Sequence, residues 1–328
     1  MVEQAGVNYG GAINAALRRC LAEDERTIFF GEDVGKPGGV FGVSKGLHAE
    51  FGNRVFDTPI SETAMIGAGV GAAMMGMRPV VEIMWLDFAM VAFDQIVNQA
   101  ANVRYVSNGK LSAPLTIRTQ QGYLPGSCAQ HAQNLEAFLL HVPGIRVCMP
   151  TTPQEAYDSM MSAHYCDDPV VVIENRGLYA GPKTEINIGA EPSEIGGSVL
   201  RREGSDITIV SWGPIISEVL AAGDQMPSRG IDAEIIEAVW LNPFDWNGLI
   251  RSVKKTRRLL VVHEANVTGG FGGEILARVV EWDIQVSHMR RLGLPDVVVP
   301  ASPVLMNELR PSAESIVAAA VEAIWCRS

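Results

Sequence analysis

Four short segments gather the residue types most able to do chemistry: Gly31-Glu32-Asp33-Val34-Gly35, Asp57-Thr58-Pro59-Ile60-Ser61-Glu62, Asp87-Phe88 and Gln130-His131. Glu62 falls just after a strand-like run and just before a helix-like one. That is the mouth of an α/β sheet, where ligands usually bind. A carboxylate there can hold a proton on a ligand, or it can simply interact with the helix macrodipole from the first turn. Phe88 offers a flat apolar ring, and it also sits among Trp85, Leu86 and Phe93 as a core phenylalanine would. His131 follows a stretch from Gly122 to Ala129 that contains Pro125 and Gly126. A neutral imidazole near pH 7 can both donate and accept a proton, although a lone loop histidine is commonly just a surface residue.

Two glycine clusters imitate a dinucleotide fingerprint. Gly67-Ala-Gly69-Val-Gly71 follows a polar turn, Gly269-Gly-Phe-Gly-Gly273 follows a strand-like run, and neither has the G-x-G-x-x-G spacing. Small residues along Ile66–Gly76 instead suit a helix that approaches another backbone closely, as at a tight subunit contact. The five cysteines, Cys20, Cys128, Cys148, Cys166 and Cys326, contain no CxxC pair. They predict neither a disulfide framework nor a zinc site, no metal ligands in this chain, and a reducing cytoplasm.

The elements that must position these residues alternate strand and helix along 328 residues, which predicts α/β layers with largely parallel sheets. Helical spacing covers Tyr9 to Asp24, Thr63–Gly76, Asp87 to Val106 and Thr152–Tyr165. Strands are expected at Thr27–Phe30, Arg54–Asp57, Pro79–Trp85, Pro114–Arg118, Ile145–Met149 and Val170–Glu174. Little periodicity remains from Gly177 to Ser198, so residues 1–176 form one domain, 177–198 a linker and 199–328 a second domain. The second domain restarts with a strand at Ile207–Trp212 and a helix at Ile216–Met226. Strands Ala233–Val239 and Leu259–Glu264 follow, and Ser312–Ile324 closes as a helix. A net charge of −11 argues against a nucleic-acid partner. The most apolar stretch, Met74 to Phe93, is broken by Arg78, Glu82 and Asp87, so no membrane span is expected. The opening Met-Val-Glu-Gln carries no export signal.

In combination, Asp-Thr-Pro-Ile-Ser-Glu, Phe-Asp-Gln-Ile-Val-Asn and Gln-His are far more specific than any one of them. Over nearly the whole chain, and most densely from Gly31 to Pro150, the sequence resembles the beta subunit of the decarboxylating component of pyruvate, branched-chain 2-oxo acid and acetoin dehydrogenase complexes. The resemblance implies an N-terminal thiamine-diphosphate-binding domain of the pyrimidine type and a transketolase C-terminal-like domain, both doubly wound α/β. It makes Glu62 the glutamate that bonds N1′ of the cofactor's aminopyrimidine, favouring the tautomer whose 4′-nitrogen takes the thiazolium C2 proton. Phe88 becomes the aromatic stacked on that ring. His131 becomes the active-site histidine implicated in reductive acylation of a lipoyl group, and His141 a structural histidine.

Enzymes of this kind hold the cofactor diphosphate through a metal on a Gly-Asp-Gly motif, which this sequence lacks. The resemblance therefore implies an alpha subunit, in an alpha-two beta-two tetramer, that holds most of the Mg2+–diphosphate side. The further partners it implies are a small 2-oxo acid and a lipoyl-bearing acyltransferase core. The reaction implied is decarboxylation of a 2-oxo acid, foremost of the pyruvate type, with acyl transfer to the lipoyl group. A branched-chain 2-oxo acid or acetoin enzyme is the alternative within that chemistry, and a non-catalytic scaffold subunit the alternative outside it. Two departures stand out. Glu237-Ala-Val-Trp240 replaces a family Asp-Leu-Arg-Thr. Within Ala163 to Asp168, where some relatives bind potassium, Cys166 takes an acidic position, and a thiol is a poor ligand for a hard cation.

Overall fold

A computed structural model describes residues 6–189 and 191–325. The opening tetrapeptide and Cys326 lie outside the described residues. The chain divides into two compact units, Met1–Gly122 with Phe138–Ile195, and Tyr123–Ala137 with Gly196–Ser328.

The first unit is built on strands β1 (Thr27–Gly31), β2 (Val55–Asp57), β3 (Arg78–Ile83), β4 (Thr116–Gln121), β5 (Arg146–Cys148) and β6 (Val170–Asn175). They lie in the order β5-β6-β4-β3-β1-β2 and every neighbouring pair is parallel. Its helices are α1 (Tyr9–Glu23), α2 (Leu47–Phe51), α3 (Glu62–Met74), α4 (Val103–Val106) and α6 (Pro153–Tyr165), while α5 (Glu136–Leu140) spans the join between the units. The N-terminal ends of α1 and α6 are set by side chains that satisfy the free N–H groups of a first turn. Asn8 accepts from Gly11 N at 2.9 Å ahead of α1. Thr152 and Glu155 form a reciprocal capping box on α6, with Pro153 just inside it. Strands β4 and β6 are buried along their whole length, as strands covered on both faces must be. The chain goes from β1 to β2 on one side and returns to β3 on the other, so the strand order reverses between β1 and β3. That reversal opens a crevice at the carboxyl ends of the strands.

Asp87 to Val106, expected as one long helix, is instead three pieces. A 3-10 turn covers Leu86–Met90, a π-helical stretch covers Gln95–Ala100, and α4 follows. Asparagine side chains compete with the backbone here. Asn102 donates to Val97 O at 3.1 Å, and Ala101 N reaches back to Ile96 O at 3.0 Å.

The second unit has strands β7 (Val199–Arg202), β8 (Ile207–Ser211), β9 (Ala233–Glu237), β10 (Trp240–Asn242), β11 (Arg258–Asn266) and β12 (His288–Leu294). Its sheet runs β12-β11-β8-β9-β7, parallel except for β7 against β9. Helices α7 (Ile216–Gln225), α8 (Trp246–Thr256), α9 (Gly272–Glu281), α10 (Pro303–Leu309) and α11 (Ala313–Trp325) complete it. Ile207, Ile209, Val219, Ile235, Leu260, Val262 and Ile316 centre its core. Both units are thus α/β with largely parallel sheets, as the alternation of elements predicts. Of the elements absent from the sequence reading, α2 lies in the first unit, α5 at the join, and β7, β10, α8, α9, β12 and α10 in this half.

One buried ionic cluster ties the first sheet together. Arg118 on β4 makes a two-pronged contact with Glu174 on β6, at 2.8 and 2.7 Å, and a direct contact with Glu82 on β3. Tyr179 donates to Glu174 Oε2 at 2.5 Å. Burial pushes the Glu82 carboxyl up to about 7; Arg118 opposes the shift and Glu174 adds to it. Removing one member of such a cluster leaves a buried charge uncompensated. Arg118→Met is therefore expected to cost about 3–5 kcal/mol, read from urea unfolding against the wild type.

Two buried groups give stability opposite pH dependences. His164 is 2% exposed, and burial first, then Arg78, pushes it from 6.5 down to about 4. Its folded state refuses a proton that the unfolded chain accepts, so its contribution is lost as pH falls from 6.5 towards 4, by on the order of 3 kcal/mol. Glu82 is raised from 4.5 to about 7, so its contribution is present below 4.5 and lost as pH rises through 7. Urea unfolding of His164→Gln and Glu82→Gln between pH 4.5 and 8 should separate the two. The histidine variant flattens the acid limb and the glutamate variant flattens the alkaline one.

Candidate active site

The first two acidic segments follow the adjacent strands β1 and β2 and are locked to each other by main-chain geometry. Gly31 is in register with Asp57, and Thr58 N donates to Gly31 O at 2.9 Å. Gly35 N donates to the Asp57 carboxylate at 2.6 Å. A Cβ on Gly35 would meet that carboxylate at 2.9 Å, and one on Gly31 would meet Glu82 O at 2.8 Å. These glycines are therefore the consequence of close packing between the strand ends.

Glu62 is the first residue of α3 and is 6% exposed. Glu32, at the end of β1, is 7% exposed. Burial raises the Glu32 carboxyl above its usual range, and the Glu62 charge, the Asp33 charge and a hydrogen bond with Glu62 add to the shift. Glu32 Oε1 is buried with no hydrogen-bond partner among the described residues. Sequence reasoning placed Glu62 and gave Glu32 no role. The available signal was two glutamates, each just past the carboxyl end of neighbouring parallel strands.

Phe88 lies in the turn after β3, half-buried, with its ring edge-on to Trp85 at 5.8 Å. Trp85 in turn meets Phe41 at 6.2 Å and lies under the Arg176 guanidinium at 5.6 Å. Thr63 Oγ1 donates to Val91 O at 2.7 Å, which pins the first turn of α3 to the Phe88 turn. Glu32, Glu62 and Phe88 thus all sit at the carboxyl ends of β1, β2 and β3. A buried carboxyl pair with one oxygen unsatisfied, beside an aromatic turn, fits the nitrogen edge and the face of a flat heterocycle.

His131 is carried by Tyr123–Ala137, which belongs to the second unit, and is half-buried there. His131 N approaches Cys128 O at 3.5 Å. His141 is exposed.

The glycine clusters have packing explanations. A Cβ on Gly69 would meet Val81 and Leu115 at 2.9 and 3.0 Å, so α3 lies hard against its sheet. Gly270 and Gly272 make room for the His263 ring, with Cβ approaches of 2.9 and 2.8 Å. At the end of α6, Arg78 donates to His164 O and Cys166 O at 2.8 and 3.1 Å and pairs with Asp167 at 2.8 Å. Asp168 pairs with Arg104 and Arg146, so arginines supply the positive charge at this helix end. Among the described residues, no group of three His, Cys, Asp or Glu is placed to hold a metal ion. No described helix is long and apolar enough to cross a membrane.

Residues 5–182 match the model for "Transketolase, pyrimidine binding domain" and residues 196–316 that for "Transketolase, C-terminal domain". The beta subunit of an acetoin:2,6-dichlorophenolindophenol oxidoreductase from Cupriavidus necator is 38% identical, covering 94% of this chain and 95% of that protein. The pyruvate dehydrogenase E1 component subunit beta of Staphylococcus epidermidis is also 38% identical, covering 88% and 90%. A mitochondrial 2-oxoisovalerate dehydrogenase subunit beta 2 of Arabidopsis thaliana is 42% identical, covering 84% and 77%. A split-gene transketolase, solved as an inactive beta4 tetramer, shares the fold with a TM-score of 0.81 at 22% identity, covering 98% of this chain and 100% of its own. With both domain types in sequence and beta subunits of all three enzymes matched along most of its length, the chain belongs to the transketolase-like family of 2-oxo acid and acetoin dehydrogenase beta subunits.

Proposed function

We propose that this chain supplies the pyrimidine side of a thiamine-diphosphate site in a two-subunit 2-oxo acid dehydrogenase. The observation that carries the reading is that Glu32 and Glu62 are both buried just past the carboxyl ends of the adjacent parallel strands β1 and β2, at the mouth of the first sheet. Bound thiamine diphosphate would supply the carbon nucleophile and electron sink that decarboxylation of a 2-oxo acid needs. Glu62 holds a proton at N1′ of the pyrimidine through a charge-assisted hydrogen bond. Phe88 orients the pyrimidine by stacking and offers no competing hydrogen bond. His131 gives and takes a proton in the later transfer of the acyl group to a lipoyl sulfur.

Written in full, the 2-oxo acid loses carbon dioxide and the remaining acyl carbon is oxidised to a thioester. The lipoyl disulfide takes up the electron pair and leaves one thiol. In this reading residues 1–176 are the pyrimidine-type domain, 177–198 the linker and 199–328 the transketolase C-terminal-like domain. An alpha subunit brings the Mg2+–diphosphate half, an acyltransferase core brings the lipoyl group, and the assembly works in the cytoplasm. The names of the relatives support an alpha partner. Pyruvate is the first substrate to test. Acetoin cleavage is the second reading, because two acetoin enzyme subunits match over 94% and 96% of the chain.

Reconstituted with its alpha subunit, the enzyme should turn over one of pyruvate, a branched 2-oxo acid or acetoin. The chain by itself should show negligible turnover and weak cofactor binding by calorimetry. Full turnover by the isolated chain would sink the two-subunit reading. Glu62→Gln keeps the size and a hydrogen-bond acceptor but removes the charge that stabilises protonated N1′. Turnover should fall by roughly two orders of magnitude or more, and exchange of the cofactor C2 proton into deuterated water should slow in step. Wild-type exchange in the assembled variant would return Glu62 to an ordinary helix-terminus role.

A further inference from the structure

We propose that Trp212 and Glu136 form a clasp that positions His131 from the second unit. The proposal rests on the functional reading above for the step that His131 serves, and on packing alone for the clasp. In the second sheet the chain goes from β8 to β9 on one side and returns to β11 on the other, so its strand order reverses between β8 and β11. The crevice at the carboxyl ends there is the place where an open α/β sheet ordinarily takes a ligand. Here it takes the chain's own segment Tyr123–Ala137.

Contacts of that segment fall on these strand ends or just beyond them, and on the chain that follows β12. Trp212, immediately after β8 and 1% exposed, donates from Nε1 to Glu136 Oε1 at 3.0 Å, and Glu136 is 1% exposed. Asn134 donates to Glu264 O on β11 at 3.0 Å. Ala132, next to His131, is fully buried against Leu294, Val299 and Met306. Gly126 N and the Tyr123 hydroxyl both reach Ala301 O, at 3.2 and 3.3 Å. The indole cannot turn away from Glu136. His263, wholly buried, stacks on it at 5.1 Å with the rings 15° apart, and Phe271 meets it edge-on at 5.7 Å. His263 is itself fixed by Nδ1 donating to Ala265 O at 3.0 Å and by Gly270, Gly272 and Gly293 crowding its ring. Glu136 stands five residues beyond His131, so the clasp sets the downstream end of the loop while the Ala301 contacts set the upstream end.

The test uses Trp212→Phe in the full chain assembled with its alpha subunit. Phenylalanine keeps an aromatic ring against His263 and removes the donor to Glu136 together with part of the indole volume. By mass spectrometry, amide hydrogen exchange in residues 123–137 should quicken about tenfold, with the first unit unchanged. Exchange of the cofactor C2 proton should stay at the wild-type rate while acyl transfer to a lipoyl domain falls at least tenfold. Glu136→Gln keeps the acceptor and should retain most of that transfer. Unchanged amide exchange in Trp212→Phe would overturn the clasp, as would a parallel fall in C2 exchange and acyl transfer. A loss in Glu136→Gln equal to that in Trp212→Phe would overturn it too. A wild-type enzyme with no C2 exchange would instead sink the functional reading, and amide exchange would then decide the clasp by itself.

Discussion

A single guanidinium, that of Arg118, is the constraint on which the first unit depends. It lies in register beside Glu82 on β3 and reaches two residues along the other neighbouring strand to Glu174, so one side chain stitches β3, β4 and β6. Burial works against its charge, and Glu174 and Glu82 outweigh that penalty. Two carboxylates against one arginine leave an excess negative charge in a site that water does not reach. The protein resolves this by keeping Glu82 inclined to hold a proton. The Glu32 charge adds to that inclination, and Glu32 in turn responds to Glu62. The acidic groups at the mouth of the sheet are therefore electrostatically linked to the core.

The same packing explains why the acidic segments are spelled as they are. Gly31 has no room for a side chain because Glu82 O stands where its Cβ would be, and Gly35 has none because of the Asp57 carboxylate. Asp57 then fixes the loop after β1, and Thr58 fixes the start of the next turn through Gly31 O. Glu32 and Glu62 need only short tethers from these locked points to meet. Their motifs record backbone contacts between neighbouring strands as much as they record chemistry.

That mixture decides what was readable from the sequence. The strands of the first unit announce themselves through Val- and Ile-rich runs, and α3 through its small residues, so Glu62 could be placed at a strand-to-helix corner. Phe88 could be placed after β3, but the broken helix behind it could not. A π-helical stretch depends on side chains such as Asn102 that capture carbonyls, and this leaves no mark on apolar periodicity. The pairing of Glu32 with Glu62 depends on β1 and β2 being adjacent, and periodicity is silent on strand order. In the second unit the glycines around Phe271 imitate a nucleotide loop. Their reason is the ring of His263, which lies outside the cluster in sequence. The seating of Tyr123–Ala137 in the second unit was hidden for the same cause, since its partners, Trp212, Glu264 and Ala301, are all distant along the chain.

The electrostatics also give a physical reason for dividing such a site between two chains. The mouth of the first sheet is acidic, with Glu32 and Glu62 buried there, and in the proposed reading a carboxylate faces the protonated nitrogen of the pyrimidine. The buried cations of this unit, among the described residues, are already committed. Arg118 serves Glu82 and Glu174, while Arg176 donates to Gly122 O and lies over Trp85. A diphosphate brought to such a surface would meet carboxylates, and at the spacing of one cofactor the repulsion in a partly dry crevice is not screened away. In the proposed reading, a cation placed nearby to hold it would also compete with the pyrimidine for the buried carboxylates. In the proposed reading, carrying the metal and the phosphate ligands on another polypeptide lets each half keep its own sign of charge until the two surfaces close on the cofactor.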